Sequence, residues 1–216
     1  MNESRGLLPR AKFVSFEGID GCGKSTLLDR LASELTERSI AYVRVREPGG
    51  TSIGEKVRQI LLDPACSEMT GRAEVLLYSA SRAQLISQVI APAMEKGVWV
   101  LADRFVDATF AYQGFGRGFE LERLKEIQKW ATGGLIPDKT VLLDCDVELA
   151  LARLGRRQGS NRDRIELEGE AFQRRVRNGY LALAGEEPER FLILDASRPL
   201  EEVAQQLRAQ FWPQNP

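Results

Sequence analysis

The chain has 216 residues, enough for one well-filled core and few for two, with 30 basic against 31 acidic residues and a net charge of −1. That balance excludes the basic field that gathers nucleic acid or an anionic membrane, and the lack of histidine excludes Ser-His and Cys-His nucleophiles and His-held metals. No apolar run approaches the ~20 residues of a membrane span, MNESRGLLPR lacks the apolar core of a secretion signal, and Cys22, Cys66 and Cys145 are too scattered for a disulfide framework or zinc site. A cytoplasmic, small-molecule protein forming a single domain over 1–216 is therefore expected, without nucleic-acid or membrane partners.

In chain order, an apolar run at 13–16 leads into FEGIDGCGKST at 16–26, which fits G-x-x-x-x-G-K-[ST] through Gly18, Gly23, Lys24 and Ser25. Small residues let successive backbone N–H groups curl around a polyphosphate, and the helix signalled by Leu27, Leu28, Leu31 and Leu35 adds the positive end of its dipole. Gly18, Ile19, Asp20, Gly21, Cys22, Gly23, Lys24, Ser25 and Thr26 form the expected triphosphate cradle, with Lys24 reaching the terminal phosphates and Ser25 a magnesium ion. A second strand at 42–45 runs into REPGGT at 46–51, where Pro48 and two glycines make either an ordinary turn or one that presents Glu47 beside the cradle.

A long helical periodicity covers 73–94, and a third strand at 98–101 ends in DRFVDATFAYQG at 103–114. Asp103 stands where a carboxylate holds magnesium through water, and Arg104 can fork onto a phosphate, although a strand-end Asp-Arg pair also reads as a structural ion pair. Strands at 140–143 and 191–194 and helices at 121–131, 149–154, 171–183 and 200–211 complete the chain. The Gly- and Arg-rich stretch 155–163 has the composition of a mobile lid. Around it Arg153, Arg156, Arg157, Arg162 and Arg164 are either a solvated helix end or cations for a migrating phosphoryl group. Strand alternating with helix predicts an α/β fold of the P-loop NTPase type: three layers, a mainly parallel five-stranded sheet with helices on both faces, and ligands at the carboxyl ends of the strands.

FEGIDGCGKST, REPGGT, LLYSASR, DRFVDATFAYQG and DRIE, in this order and at these separations, make the chain similar to the bacterial thymidylate kinases, in the nucleoside monophosphate kinase group, from about residue 12 to 199. The resemblance implies transfer of the γ-phosphoryl of ATP to dTMP, with Mg²⁺ as cofactor, ATP and dTMP as small-molecule partners, and a homodimer. It puts Tyr78 on the thymine ring where relatives usually carry Phe, although an aromatic at helical spacing is also an ordinary core residue. It puts Arg82 at the base edge, Thr109 and Gln113 as readers of the base, and Tyr112 against a ribose 2′-hydroxyl. Asp20 meets the sugar 3′-hydroxyl, Glu47 and Pro48 line the site, and Arg58 and Arg104 clamp the dTMP phosphate. Ser25, Asp103 and Glu47 are the candidate metal ligands.

Some relatives carry an arginine in the loop where this chain has Gly21, so the catalytic cations are expected from the lid, at Arg156 and Arg157, beside Lys24 and Arg104. Arg153 is expected at the adenine, as is Arg198 in the loop after the last strand. Two departures, Phe105 for a frequent Tyr and Ala108 for a frequent Ser, remove polar groups near the acceptor. Kinases for other nucleoside monophosphates, and a nucleotide-dependent switch ATPase, are the alternative readings.

Overall fold

All five apolar runs become strands: β1 (Phe13–Glu17), β2 (Tyr42–Arg46), β3 (Trp99–Asp103), β4 (Lys139–Asp144) and β5 (Phe191–Asp195). They belong to a computed structural model that describes residues 12–156 and 163–212. The strands pair in the order β2-β3-β1-β4-β5 with every pairing parallel, so the sheet is wholly rather than mainly parallel. Parallel neighbours need crossovers that cover both faces, and strand residues alternate accordingly. Val14 and Phe16 of β1 and Trp99 and Leu101 of β3 enter one apolar cluster with Leu27, Leu31 and Val141. Phe13, Val100 and Ala102 face the opposite way into a second cluster with Leu85 and Ile90.

The helices are α1 (Lys24–Glu37), α2 (Ser52–Leu62), α3 (Gly71–Leu85), α4 (Ala91–Glu95), α5 (Val106–Thr109), α6 (Leu121–Thr132), α7 (Val147–Gly155), α8 (Glu170–Glu186) and α9 (Leu200–Phe211). Side-chain caps fix two of their starts. Thr51 Oγ1 accepts from Gly54 N–H at 2.9 Å to open α2, and Thr70 Oγ1 accepts from Ala73 N–H at 3.3 Å to open α3. The periodicity at 73–94 is α3, a wide π-helical stretch Ile86–Ile90, then α4. Pro92 explains the widening: it has no N–H for the carbonyl four residues back, and its ring crowds that carbonyl. The motif at 103–114 also becomes helical, as α5 followed by π turns over Phe110–Gly116, on which α8 packs.

β1 lies between β3 and β4, so the chain leaves its carboxyl end where crossovers diverge to either side. In open parallel sheets this is the crevice in which ligands bind. Of the expected lid, residues 157–162 and with them Arg157 and Arg162 lie outside the described residues; α7 ends at Gly155 and Arg156 follows it, exposed. Among the described residues no helix is long and apolar enough to cross a membrane.

Candidate functional site

The loop from β1 to α1 is shaped by its glycines. Gly23 caps α1 from the left-handed region at φ 101°, and Gly21 has φ 87°. A Cβ on Gly21 would stand 2.2 Å from the Ala150 carbonyl oxygen, so helix α7 is packed directly on the loop. Lys24 is buried, and its ammonium donates to the carbonyls of Gly18 at 3.1 Å and Ile19 at 3.0 Å, with Asp20 at 3.5 Å. Ser25 Oγ donates to Asp103 Oδ2 at 3.1 Å, which joins the start of α1 to the end of β3.

Beside the loop stands Arg104, a non-glycine residue at φ 69°, a backbone conformation that costs about 1–2 kcal/mol. Its own bonds hold it there. The backbone N–H donates to Phe16 O at 3.1 Å; Nη1 donates to Gly18 O at 2.9 Å and Tyr180 Oη at 3.1 Å; Nη2 donates to Asp20 Oδ1 at 2.6 Å and Tyr112 Oη at 2.9 Å. The guanidinium also lies 4.9 Å from the Tyr112 ring centroid. Burial alone would raise the Asp20 carboxyl, yet Arg104 and then Lys24 hold it below the usual carboxylate range, so it is charged. Behind Arg104, fully buried Glu17 accepts from Tyr180 O–H at 2.7 Å and from Phe105 N–H at 2.7 Å. Burial, and then the charge of Asp107, push the Glu17 carboxyl up to about 8.

Two further buried charges sit on the inner face of α3, where Glu74, Tyr78 and Arg82 recur every four residues. Arg82, 1 % exposed, donates from Nε to Glu47 Oε2, from Nη1 to Thr109 Oγ1 and Gln128 Oε1, and from Nη2 to Phe105 O, and its Nη2 is also ion-paired with Glu47 Oε2. Burial raises the Glu47 carboxyl against the opposing effect of Arg82. Glu74, 0 % exposed, accepts from Gln113 Nε2 at 2.8 Å and from Arg117 Nε and Nη2 at 2.6 and 2.8 Å, and pairs with Arg164 Nη2 at 2.6 Å. Arg58 Nη1 donates to the Pro48 carbonyl at 3.0 Å.

These groups enclose two pockets. One is lined by Asp20, Glu47, Pro48, Arg58, Tyr78, Arg82, Arg104, Thr109, Tyr112 and Gln113, with Leu62, Ala108, Asp163 and Ile165 filling the rest of its wall. The other is lined by Gly21, Cys22, Gly23, Thr26, Arg153 and Arg198, closed by apolar Leu27, Leu143, Ala196, Leu200 and Val203. The family model described as thymidylate kinase matches residues 16–207, a span holding every one of these pocket residues. The chain belongs to the thymidylate kinase family. It is 52% identical over 187 residues to a thymidylate kinase of Desulforudis audaxviator, covering 86% of this chain and 83% of that one. Over 202 residues it is 49% identical to one from Desulfovibrio desulfuricans, covering 91% and 93%. A third, from Pelotomaculum thermopropionicum, is 48% identical over 189 residues, covering 88% and 87%.

Within this thymidylate kinase fold all ten residues expected at the acceptor line one pocket, and Gly21, Cys22, Gly23, Thr26, Arg153 and Arg198, expected at ATP, share the other. Of the three candidate metal ligands, Ser25 and Asp103 are joined to each other, whereas Glu47 lies in the pocket wall with its Oε2 held by Arg82. Among the described residues no cluster of three or more acidic or sulfur side chains could hold a metal. Arg82 lines the pocket, as expected for a residue at the base edge, while its guanidinium is bonded to Glu47, Thr109, Gln128 and the Phe105 carbonyl.

Phe105 carries no acceptor contact, being 0 % exposed with its ring edge-on to Phe13 at 4.8 Å. Sequence reasoning missed Glu17, Glu74 and Tyr180. Glu74 had a visible signal in its four-residue spacing from Tyr78 and Arg82, and Glu17 in being an acidic residue within an apolar strand.

Proposed function

We propose that the chain is a cytoplasmic, ATP- and magnesium-dependent kinase that moves the γ-phosphoryl group of ATP onto dTMP. One observation carries the reading: ten residues from five separate segments, each expected around dTMP, converge on one pocket that reaches the phosphate loop at Asp20 and Arg104. The dTMP phosphate is already an anionic nucleophile, so the chemistry needs positioning and charge neutralisation rather than a general base. Arg104 and Arg58 hold that phosphate. Asp20, kept ionised, accepts from the sugar hydroxyl, and the Tyr78 ring covers the base. Lys24 is the loop's cation for the β- and γ-phosphates.

Ser25 and Asp103 offer a hydroxyl and a carboxylate 3.1 Å apart, an oxygen set that suits Mg²⁺ directly and through water. When bound, the ion neutralises charge on the transferring phosphates. Arg156, at the root of the lid, and Arg157, outside the described residues, supply the remaining positive charge in place of the side chain that Gly21 lacks. Lid closure excludes water, the competing acceptor.

The test is release of ADP measured with dTMP, dUMP, dCMP and dGMP, and with no acceptor. The reading expects release that depends on the acceptor, with kcat/KM highest for dTMP. Equal release without acceptor would leave only a nucleotide-hydrolysing switch, and a higher kcat/KM for another monophosphate would reassign the substrate.

A single domain is part of the reading, because the two apolar clusters are the two faces of one sheet. So is a homodimer. Leu76 on α3 and Trp130 on α6 are 59% and 88% exposed and flank a groove floored by Ala80, Ala83 and Ile127. A second copy on this face would brace the helix that carries Tyr78. Trp130→Glu is expected to turn a sedimenting dimer into a monomer; an unchanged mass would place the interface elsewhere.

A further inference from the structure

Glu74 is a fully buried carboxylate with no direct place in the phosphoryl transfer just described, yet it draws together three parts of the acceptor pocket's surroundings. It accepts from Gln113 Nε2 on the 110–116 turns at 2.8 Å and from Arg117 Nε and Nη2 at 2.6 and 2.8 Å, and it pairs at 2.6 Å with Arg164, beside the pocket residues Asp163 and Ile165. Two arginines keep it ionised: burial opposes the charge, but the bonds from Arg117 and Gln113 hold its carboxyl below the usual range.

An ionised carboxylate can only accept hydrogen bonds. The Gln113 amide therefore has to turn its nitrogen toward Glu74, and its carbonyl oxygen, on the same carbon, points the other way. A neutral partner at 74 would allow either amide orientation. We propose that Glu74 is a positioning residue that fixes the Gln113 side chain with its carbonyl toward the acceptor's base, so that the pocket selects a pyrimidine carrying a ring N–H. The proposal rests on the dTMP kinase reading.

Thr109 completes the pattern from the opposite sign of charge. Its Oγ1 accepts from Arg82 Nη1 at 2.9 Å, which leaves its own hydrogen free to give. Both Thr109 and Gln113 line the pocket, so one hydrogen-bond donor and one acceptor face the base. An imide edge, with a carbonyl beside a ring N–H, complements that pair. Cytosine, with an unprotonated ring nitrogen beside an amino group, offers the reverse and meets acceptor with acceptor and donor with donor. A site built to pair such groups rejects the mismatched edge strongly, because both partners are left unbonded.

The experiment compares kcat/KM for dTMP and dCMP on one preparation at saturating ATP. The ratio of the two is independent of the fraction of folded enzyme. Glu74→Gln keeps the shape, removes the charge and frees the Gln113 amide to turn; the dTMP:dCMP ratio is expected to fall by about 10- to 100-fold. Glu74→Asp, which retains the charge but withdraws it from Gln113 by one methylene, serves if the glutamine variant does not fold, and is expected to shift the ratio in the same direction. Arg117→Met breaks the ion pair while leaving the Glu74–Gln113 bond, and is expected to lower the melting temperature without moving the ratio.

A ratio within twofold of the parent in both Glu74 variants overturns the proposal, as does an equal shift in Arg117→Met. A parent enzyme that does not prefer dTMP would instead overturn the dTMP kinase reading itself.

Discussion

Replacing Gly21 by alanine tests the packing that joins the phosphate loop to the helix behind it. The residue sits at φ 87°, where an L side chain costs about 1–2 kcal/mol. The new Cβ would lie 2.2 Å from the Ala150 carbonyl oxygen, 2.9 Å from the Ala150 carbonyl carbon and 3.0 Å from Leu154 Cγ. Two of these atoms are backbone, so relief requires the loop and α7 to part by about 1 Å, an overpacking cost of about 1–3 kcal/mol. The sum, about 2–5 kcal/mol, corresponds to a fall of about 4–20 °C in melting temperature for a chain of this size. Gly23→Ala is the internal control. It has the same kind of backbone at φ 101°, but its nearest Cβ neighbour is Leu143 Cδ2 at 4.0 Å, so only the backbone cost of about 1–2 kcal/mol applies. Calorimetric melting of the two variants isolates the contact with α7. Because α7 carries Arg153 into the pocket proposed for ATP, KM for ATP should rise more than KM for dTMP in Gly21→Ala. A melting temperature no lower than that of Gly23→Ala, with KM for ATP unchanged, would refute the reasoning.

Three other outcomes are expected. Lys24→Ala should lower kcat by about 10³-fold or more while leaving dTMP affinity by calorimetric titration largely unchanged; near-normal turnover would remove the loop from the mechanism. Tyr112→Ala, which takes away the ring and hydroxyl set between Arg104 and Asp20, should narrow the ratio of kcat/KM for dTMP over its ribonucleotide counterpart, and an unchanged ratio would remove Tyr112 from sugar selection. Glu17 has its folded pKa raised from 4.5 to about 8, so the folded state keeps a proton that the unfolded chain has lost; stability is full below about pH 4.5 and falls as pH rises through about 8. Glu17→Gln should therefore flatten the decline in melting temperature over that window, and parallel pH curves for parent and variant would show that Glu17 does not titrate there.

The strands were legible because parallel, two-sided burial writes near-continuous apolar runs, and the grouping of the ten pocket residues was legible because seven of them lie in short motifs after strands, with Arg58 on α2 and Tyr78 and Arg82 on α3. The segment after Arg104 was not. Phe110–Gly116 joins two glycines to aromatic residues, a composition with no helical period, and it is held helical by α8 packing on it from far along the chain. The partners of the buried charges were equally hidden. The face shared by Glu74, Tyr78 and Arg82 can be read from spacing, but nothing local says that Arg82 will bond to Glu47, Thr109, Gln128 and the Phe105 carbonyl. Tyr180 meets Glu17 across 163 positions of sequence. Periodicity tells which way a side chain points; only the assembled sheet decides what it meets.

The division of labour between loop and lid follows from the same contact that makes Gly21 intolerant of a side chain. Ala150 and Leu154 of α7 occupy the space into which any Cβ at position 21 would project, so a loop arginine and the helix cannot coexist in this arrangement. The helix that takes that space also carries Arg153 in its last turn and leads directly into Arg156. Arg153, one turn beyond Ala150, lines the pocket with Gly21, and Arg156 follows immediately on the helix end, where the lid begins. Packing α7 against the loop thus excludes a side chain at position 21 and, in the proposed mechanism, brings arginines from another place. In the proposed mechanism the loop offers its backbone and Lys24 to the phosphates, and the arginines that follow α7 would supply the charge that Gly21 lacks. With the 155–163 stretch closing as proposed, charge neutralisation and exclusion of water would occur in the same movement, which would protect ATP from hydrolysis while no acceptor is bound.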